Sequence, residues 1–177
     1  MLKWFLEEFA TESPEIDEVA LTDPDPFVTA QRIAKEKALA VYANHRDSLV
    51  VAGDTVVALP VDGKWEQLGK PKDVPDALRM LKLLSGKTHT VVTGVCLRWP
   101  RGMTAFTDAT EVTFRKITVA EAKAYVKTGS PLDKAGTYGL QDESQSFVTE
   151  IRGSMTNVVG MPMERLDEAL QDTMRTT

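Results

Sequence analysis

Residues 48–71, SLVVAGDTVVALPVDGKWEQLGKP, set a polar break inside an apolar pattern. The runs 49–52 and 56–59 are short, apolar and rich in valine, which predicts buried strand for both. Between them stand Gly53, Asp54 and Thr55. An ionised carboxylate is costly to bury alone, so Asp54 either meets a cation or sits at a mouth where the strand leaves the core. Gly53 fits the mouth, because a residue without Cβ lets the backbone bend or a ligand approach. Capping of a strand end through neighbouring amides accounts for Asp54 equally well.

The same reading extends along the chain. A short helix is predicted over 2–9, followed by an irregular connection rich in acids and prolines over 11–26. Asp25 and Pro26 supply an N-cap and a first helical position for a helix over 27–43. On its wheel Phe27, Ala30, Ile33, Ala34, Ala38 and Val41 share one stripe, and Lys37 falls inside it. A lysine there either snorkels to solvent or aims its ammonium at an anion. Asp62 and Gly63 mark a hairpin turn whose return arm ends at Gly69, Lys70 and Pro71. A phosphate loop is excluded over 63–70, since the spacing is wrong and Pro71 replaces the required Ser or Thr.

Asp73 starts a second helix, with Ala77, Leu78, Leu81 and Leu84 at helical spacing, which Ser85 and Gly86 end. Strands follow over 88–99 and 103–114, then a helix opened by the capping box Thr118 and Glu121 and closed at Gly129. After the glycine-rich loop 130–141 come a strand near 147–151, the segment NVVGMP and a last helix over about 163–170. Strands and helices alternate without strict βαβ repetition and two hairpins are present. The expected fold class is α/β, a single domain with a mixed sheet flanked by helices.

With 42% hydrophobic and 27% charged residues, the composition is that of a soluble globular domain. A net charge of -5 argues against a general nucleic-acid or anionic-membrane surface and leaves room for a local lysine pocket. Cys96 has no partner cysteine, which excludes an intramolecular disulfide and disfavours a cysteine-based zinc site. No apolar run reaches membrane-spanning length and no leader pattern is visible, so the cytoplasm is the expected compartment.

Polar groups out of keeping with their surroundings are Glu18, Lys37, Asp54 with Thr55, Lys70, and the loop holding Asp133, Lys134 and Gln141. Carboxylates with lysines suit a polyphosphate and a divalent ion, since carboxylate oxygens hold Mg²⁺ and ammonium groups face phosphate. The bland reading makes Lys70 and Lys134 solvated loop residues and Glu18 one more acid of a charged segment. His45 and His89 are isolated, one near a helix end and the other in the turn before a strand, and neither receives a catalytic role. No nucleophile elbow is present.

The blocks AGDTVV (52–57), GKP (69–71), LSGKTHTVVTGV (84–95), TEVTF (110–114), PLDKAGTYGLQ (131–141) and NVVGMP (157–162) follow one another in this chain. In that order the chain resembles the Maf-like nucleoside triphosphate pyrophosphatases from residue 27 to about 170. It looks most like the subgroup acting on dTTP and UTP, which carries the DT of Asp54 and Thr55 and the DKAG-Y-G-Q of 133–141. The resemblance implies an elongated twisted sheet with two lobes around a central cleft. It also implies hydrolysis of a nucleoside triphosphate to the monophosphate and pyrophosphate, with house-cleaning of non-standard nucleotides as an allied role.

By that resemblance Asp54 activates water, Lys37 (in IAKEKA) and Lys70 (in GKP) contact phosphates, and Thr55 and Gln141 help choose the base, with Lys134 beside them. Glu18 and Asp54 hold Mg²⁺ or another divalent cation such as Mn²⁺. The implied partners are the nucleotide and a second copy of the chain in a homodimer, with no nucleic acid and no membrane. The competing reading is a non-catalytic nucleotide-binding or division-related interaction protein.

Members of that family open on a strand and an SxSPRR motif whose arginines clamp the triphosphate. Here Ser13 and Pro14 are followed by Glu15, and they stand too late to substitute. Arginine forks make bidentate phosphate contacts that lysines do not reproduce. The expectation is an N-terminally truncated domain, weak or inactive as it stands and active with that segment restored.

Overall fold

The computed structural model describes residues 8–175. Residues 2–7 of the helix expected over 2–9 lie outside that range, and Glu8 and Phe9 are irregular. Helix α1 (Pro26–Tyr42) begins where the sequence placed it: Asp25 accepts a hydrogen bond from Phe27 N at 2.8 Å and Pro26 occupies the first turn. Strand β1 (Val50–Val61) turns at Asp62 and Gly63 into β2 (Lys64–Leu68). Both turn residues have positive φ, 50° and 77°, which gives the twist that a two-residue hairpin requires.

Helix α2 (Val74–Leu84) is capped by Asp73, whose side chain accepts from Asp76 N at 2.8 Å. Strands β3 (Thr88–Trp99) and β4 (Gly102–Phe114) form the long hairpin. The Thr118–Glu121 capping box opens α3 (Val119–Lys127). Three short 3-10 turns lead to β5 (Val148–Arg152), the single turn α4 (Met155–Val158) and α5 (Met163–Arg175), which runs past Leu170 to bury Thr173.

The strands lie in the order β2-β1-β3-β4-β5. The α/β class holds, but every pairing among the described residues is antiparallel where a mixed sheet was expected. The cause is the one helical crossover: β2 and β3 do run the same way, but β1 lies between them, so the parallel pair never meets. β2 covers β1 only from Val57 to Val61. From Val50 to Val56, β1 is paired with β3 alone among the described residues.

Side chains alternate across the sheet, and this sorts the core. On one face Ala34, Ala38 and Tyr42 of α1 pack on Val50 and Cys96, and Ala30 on Val56 and Val92. The opposite face carries two separate clusters. Val57 and Val91 join α2 and α3 through Leu81, Leu84 and Tyr125, while Val95 and Leu97 join α5 through Leu166 and Leu170. The rung Thr55↔Thr93 lies between them. Within α1 the buried stripe is Pro26, Thr29, Ala30, Ile33, Ala34, Ala38 and Tyr42. Phe27, expected on the stripe, is exposed and Val41 is half-buried, while Thr29 exchanges hydrogen bonds with Asp23 and the Tyr42 hydroxyl donates to Arg46 O at 2.7 Å.

His89 is a core residue on β3 rather than part of the turn before it. It stacks edge-on against Phe114 and Tyr138, with Nε2 2.8 Å from the Tyr138 hydroxyl. Burial lowers its pKa to about 4, so the folded ring is neutral where an unfolded one takes up a proton. This contribution to stability is complete above the ordinary histidine value, declines as pH falls from 6.5, and is lost by about 4. It amounts to about 3 kcal/mol. Urea titrations of the wild type and His89→Gln between those pH values should show this component in the former only; parallel curves would contradict it.

Candidate active site

Strand β1 continues without a break through Gly53, Asp54 and Thr55, so the two apolar runs are one element and the strand does not leave the core at Gly53. Gly53 serves close approach instead: a Cβ there would stand 3.3 Å from Met161 Cε and 3.6 Å from Gly160 O. Because neighbours on a strand point to opposite faces, Asp54 lies under α1 and Thr55 faces the gap between the two clusters on the other side.

On the α1 face, Gly94 is the strand partner of Asp54. A Cβ at Gly94 would fall 2.3 Å from Ala30 O and 2.7 Å from Gln31 N, so the helix backbone rests directly on the strand. Two turns further on, Lys37 Nζ stands 2.7 Å from Asp54 Oδ1 and 2.7 Å from Glu18 Oε1. Glu18 arrives through the acidic connection, which runs antiparallel to α1: Glu12 meets His45 at 2.7 Å, Glu18 meets Lys37, and Asp23 meets Arg32 at 3.0 Å. Lys37 therefore pairs with two carboxylates rather than snorkelling to solvent.

The Asp54 side chain is 12% exposed. Burial raises its pKa above the ordinary carboxylate value, and the attraction of Lys37 reduces that rise without cancelling it. For Lys37, burial works downward, but hydrogen bonds to Asp54 and Glu18 outweigh it and hold the ammonium above the usual lysine value. The result is a charged lysine beside an unusually basic carboxylate. Lys70, exposed in the loop after β2, acts electrostatically on both Asp54 and Asp133. Gly136 N donates to Gly69 O at 3.1 Å, which ties the Lys70 loop to the glycine-rich loop.

On the opposite face a cavity of about 190 Å³ is lined by Thr55, Val57, Val91, Gln141 and Gly160, with the stem of Lys134. Gly136, at φ 65°, lets the loop close over β1, where a Cβ would meet Val57 Cγ2 at 2.7 Å. Thr55, Gln141 and Lys134 thus line one pocket, where the family resemblance had grouped them. The Lys134 ammonium, however, is engaged by its own loop: Ser130 O at 2.6 Å, Ser130 Oγ at 3.0 Å and Asp133 Oδ1 at 3.1 Å. Asp142, which accepts from Tyr125, Ser130 and Ser144, anchors the same loop.

Gly94, Thr93 and Asn157 matter to this geometry and were not singled out from the sequence. Asn157 is fully buried and donates through Nδ2 to Val91 O and Thr110 Oγ1, both at 3.0 Å, holding α4 against the sheet. A lone Asn before VVG and a threonine-glycine pair among valines were the available signals.

A divalent cation needs oxygen donors, and Asp54 and Glu18 supply two carboxylates brought together at one ammonium. Among the described residues no group of three or more potential ligands gathers. Two carboxylates completed by phosphate oxygens and water are the usual manner of holding Mg²⁺, and Asp54 and Glu18 would hold it by giving up part of their contact with Lys37. No helix among the described residues is long and apolar enough to cross a membrane.

Comparison with known proteins gives a match to the family described as Maf-like protein over residues 1–173. The chain is similar to a dTTP/UTP pyrophosphatase of Aquifex aeolicus (strain VF5), 43% identical across 83% of this chain and 75% of that one. It is 43% identical to a protein of the same name from Moorella thermoacetica (strain ATCC 39073 / JCM 9320), across 92% and 82%. A third relative so named, from Thermosipho africanus (strain TCF52B), is 37% identical across 97% and 86%.

Proposed function

This chain belongs to the family of Maf-like proteins, and from that membership we propose that it is a nucleoside triphosphate pyrophosphatase that hydrolyses dTTP and UTP to the monophosphate and pyrophosphate. The observation that carries the reading is the Lys37 ammonium held between a basic carboxylate, Asp54, and Glu18 on one face of β1, with a base-sized cavity one residue away on the other.

The cavity suits a pyrimidine. At about 190 Å³ it has room for a single substituted ring. Gln141 and Thr55 offer hydrogen bonds to its edge, and Val57 and Val91 offer hydrocarbon to its face. A nucleotide with its base against Thr55 and its α-phosphate at Asp54 must cross the outer edge of β1. Between Val50 and Val56 that edge carries no strand partner among the described residues.

In the reaction, Asp54 removes a proton from the attacking water and orients it toward the α-phosphorus. Lys37 and Lys70 place positive charge where phosphate oxygens gain negative charge in the transition state. Asp54 and Glu18 would hold Mg²⁺ or Mn²⁺, which supplies Lewis-acid neutralisation of the phosphates when bound. Lys134 acts by holding the loop that presents Gln141, since its ammonium is spent within that loop. The proposed setting is the cytoplasm and the proposed assembly a homodimer.

The test is pyrophosphate release from dTTP, UTP, dATP and dGTP with Mg²⁺. Release from the pyrimidine nucleotides is the expected outcome. Preference for a purine nucleotide, or release of orthophosphate, would overturn the assignment.

A further inference from the structure

Thr93 is fully buried in β3, opposite Thr55. Its hydroxyl donates to Asn157 O at 3.1 Å and lies 3.0 Å from the Thr55 hydroxyl. A threonine has one hydroxyl proton. A carbonyl cannot donate, so the Thr93 proton belongs to the Asn157 bond; turning it toward Thr55 would set the carbonyl oxygen against a lone pair. Thr93 can then only accept from Thr55, and the Thr55 proton is committed in turn.

The carbonyl is itself fixed. Gly160 N donates to it at 2.9 Å, and the Asn157 amide is held by Val91 O and Thr110 Oγ1, the Thr110 proton going to Ser154 O at 3.0 Å. Thr55 lines the cavity with its proton already turned away.

We propose that Thr93 is a positioning residue that makes Thr55 an obligate hydrogen-bond acceptor toward the base, so that the cavity selects pyrimidines bearing a ring N3–H. This rests on the reading that the cavity receives the base. Uracil and thymine present N3–H to the Thr55 lone pairs, whereas cytosine presents an unprotonated N3, another acceptor. Facing two acceptors leaves both without a proton, which costs about 10-fold or more in relative rate.

The experiment measures kcat/KM for UTP, dTTP and CTP in the wild type, Thr93→Ser and Thr93→Val, with thermal melts to confirm folding. The wild type should favour UTP over CTP by about 10-fold or more, and Thr93→Ser should keep the preference because the hydroxyl remains. In Thr93→Val the Thr55 proton is released to turn either way, and the ratio should fall to within about 3-fold, chiefly through a lowered KM for CTP.

A second measurement needs no variant. The alkaline limb of wild-type kcat/KM should come at lower pH with 5-fluoro-UTP than with UTP, because fluorine makes N3–H more acidic. An unchanged ratio in a folded Thr93→Val, or a limb that does not move between the two nucleotides, would overturn the proposal. Equal turnover of UTP and CTP by the wild type would overturn it while leaving the activity intact. Turnover of no pyrimidine triphosphate would bring down both.

Discussion

Asp54→Asn is expected to lower kcat for UTP by about 1,000-fold with little change in melting temperature, because an amide keeps the size of the side chain and cannot take a proton from water. The fold should survive, since Lys37 retains Glu18 at 2.7 Å and the strand pairing of residue 54 uses only backbone. The wild-type pH profile should carry the same signature. Asp54 works as a base only when ionised, so activity falls as pH drops through its pKa; burial holds that pKa above the ordinary carboxylate value of 3.8 in the metal-free chain, and a bound divalent cation would lower it. Lys37 stays charged through neutrality, its pKa standing above the usual lysine value, and adds no limb there. Turnover in Asp54→Asn within about 10-fold of wild type would remove Asp54 from the role of base.

The second large effect is structural in origin. Gly94→Ala places a methyl group 2.3 Å from the Ala30 carbonyl oxygen and 2.7 Å from Gln31 N, both backbone atoms that cannot rotate away. Helix α1 must lift from the sheet. That opens the packing of Ala30, Ala34 and Ala38 on Val92 and Cys96, and draws Lys37 from Asp54. A loss of about 3 kcal/mol in urea unfolding is expected, with reduced kcat in the folded fraction. Gly53→Ala is the contrast: its nearest neighbour is the flexible end of Met161 at 3.3 Å, so the cost should be small. Equal stability of Gly94→Ala and the wild type would show that α1 does not depend on this contact.

What the sequence disclosed follows from how local each signal is. Asp25, Asp73 and the Thr118–Glu121 pair cap their helices through bonds spanning two or three residues, and Asp62–Gly63 sets its own hairpin. Such features are complete within a short window. Lys37 was visible as a charge on an apolar stripe, and its meaning emerged when Asp54 arrived from the sheet.

The remainder depended on long-range packing. Gly53–Asp54–Thr55 read as a break because polarity interrupts the apolar run, yet the strand persists, with one polar side chain against α1 and the next against the Asn157–Gly160 turn. The antiparallel sheet turns on β1 lying between β2 and β3, which no window of residues announces. His89 became a core residue only through Phe114 and Tyr138. Lys134 became a loop anchor only through Ser130 and Asp142.

The central claim is that a water activated at Asp54 attacks the α-phosphorus of a pyrimidine triphosphate whose base lies across β1. Hydrolysis of UTP in ¹⁸O-labelled water, with the products separated and weighed by mass spectrometry, tests it most directly. The label should enter UMP and be absent from pyrophosphate. Label in pyrophosphate, or in released orthophosphate, would contradict the account.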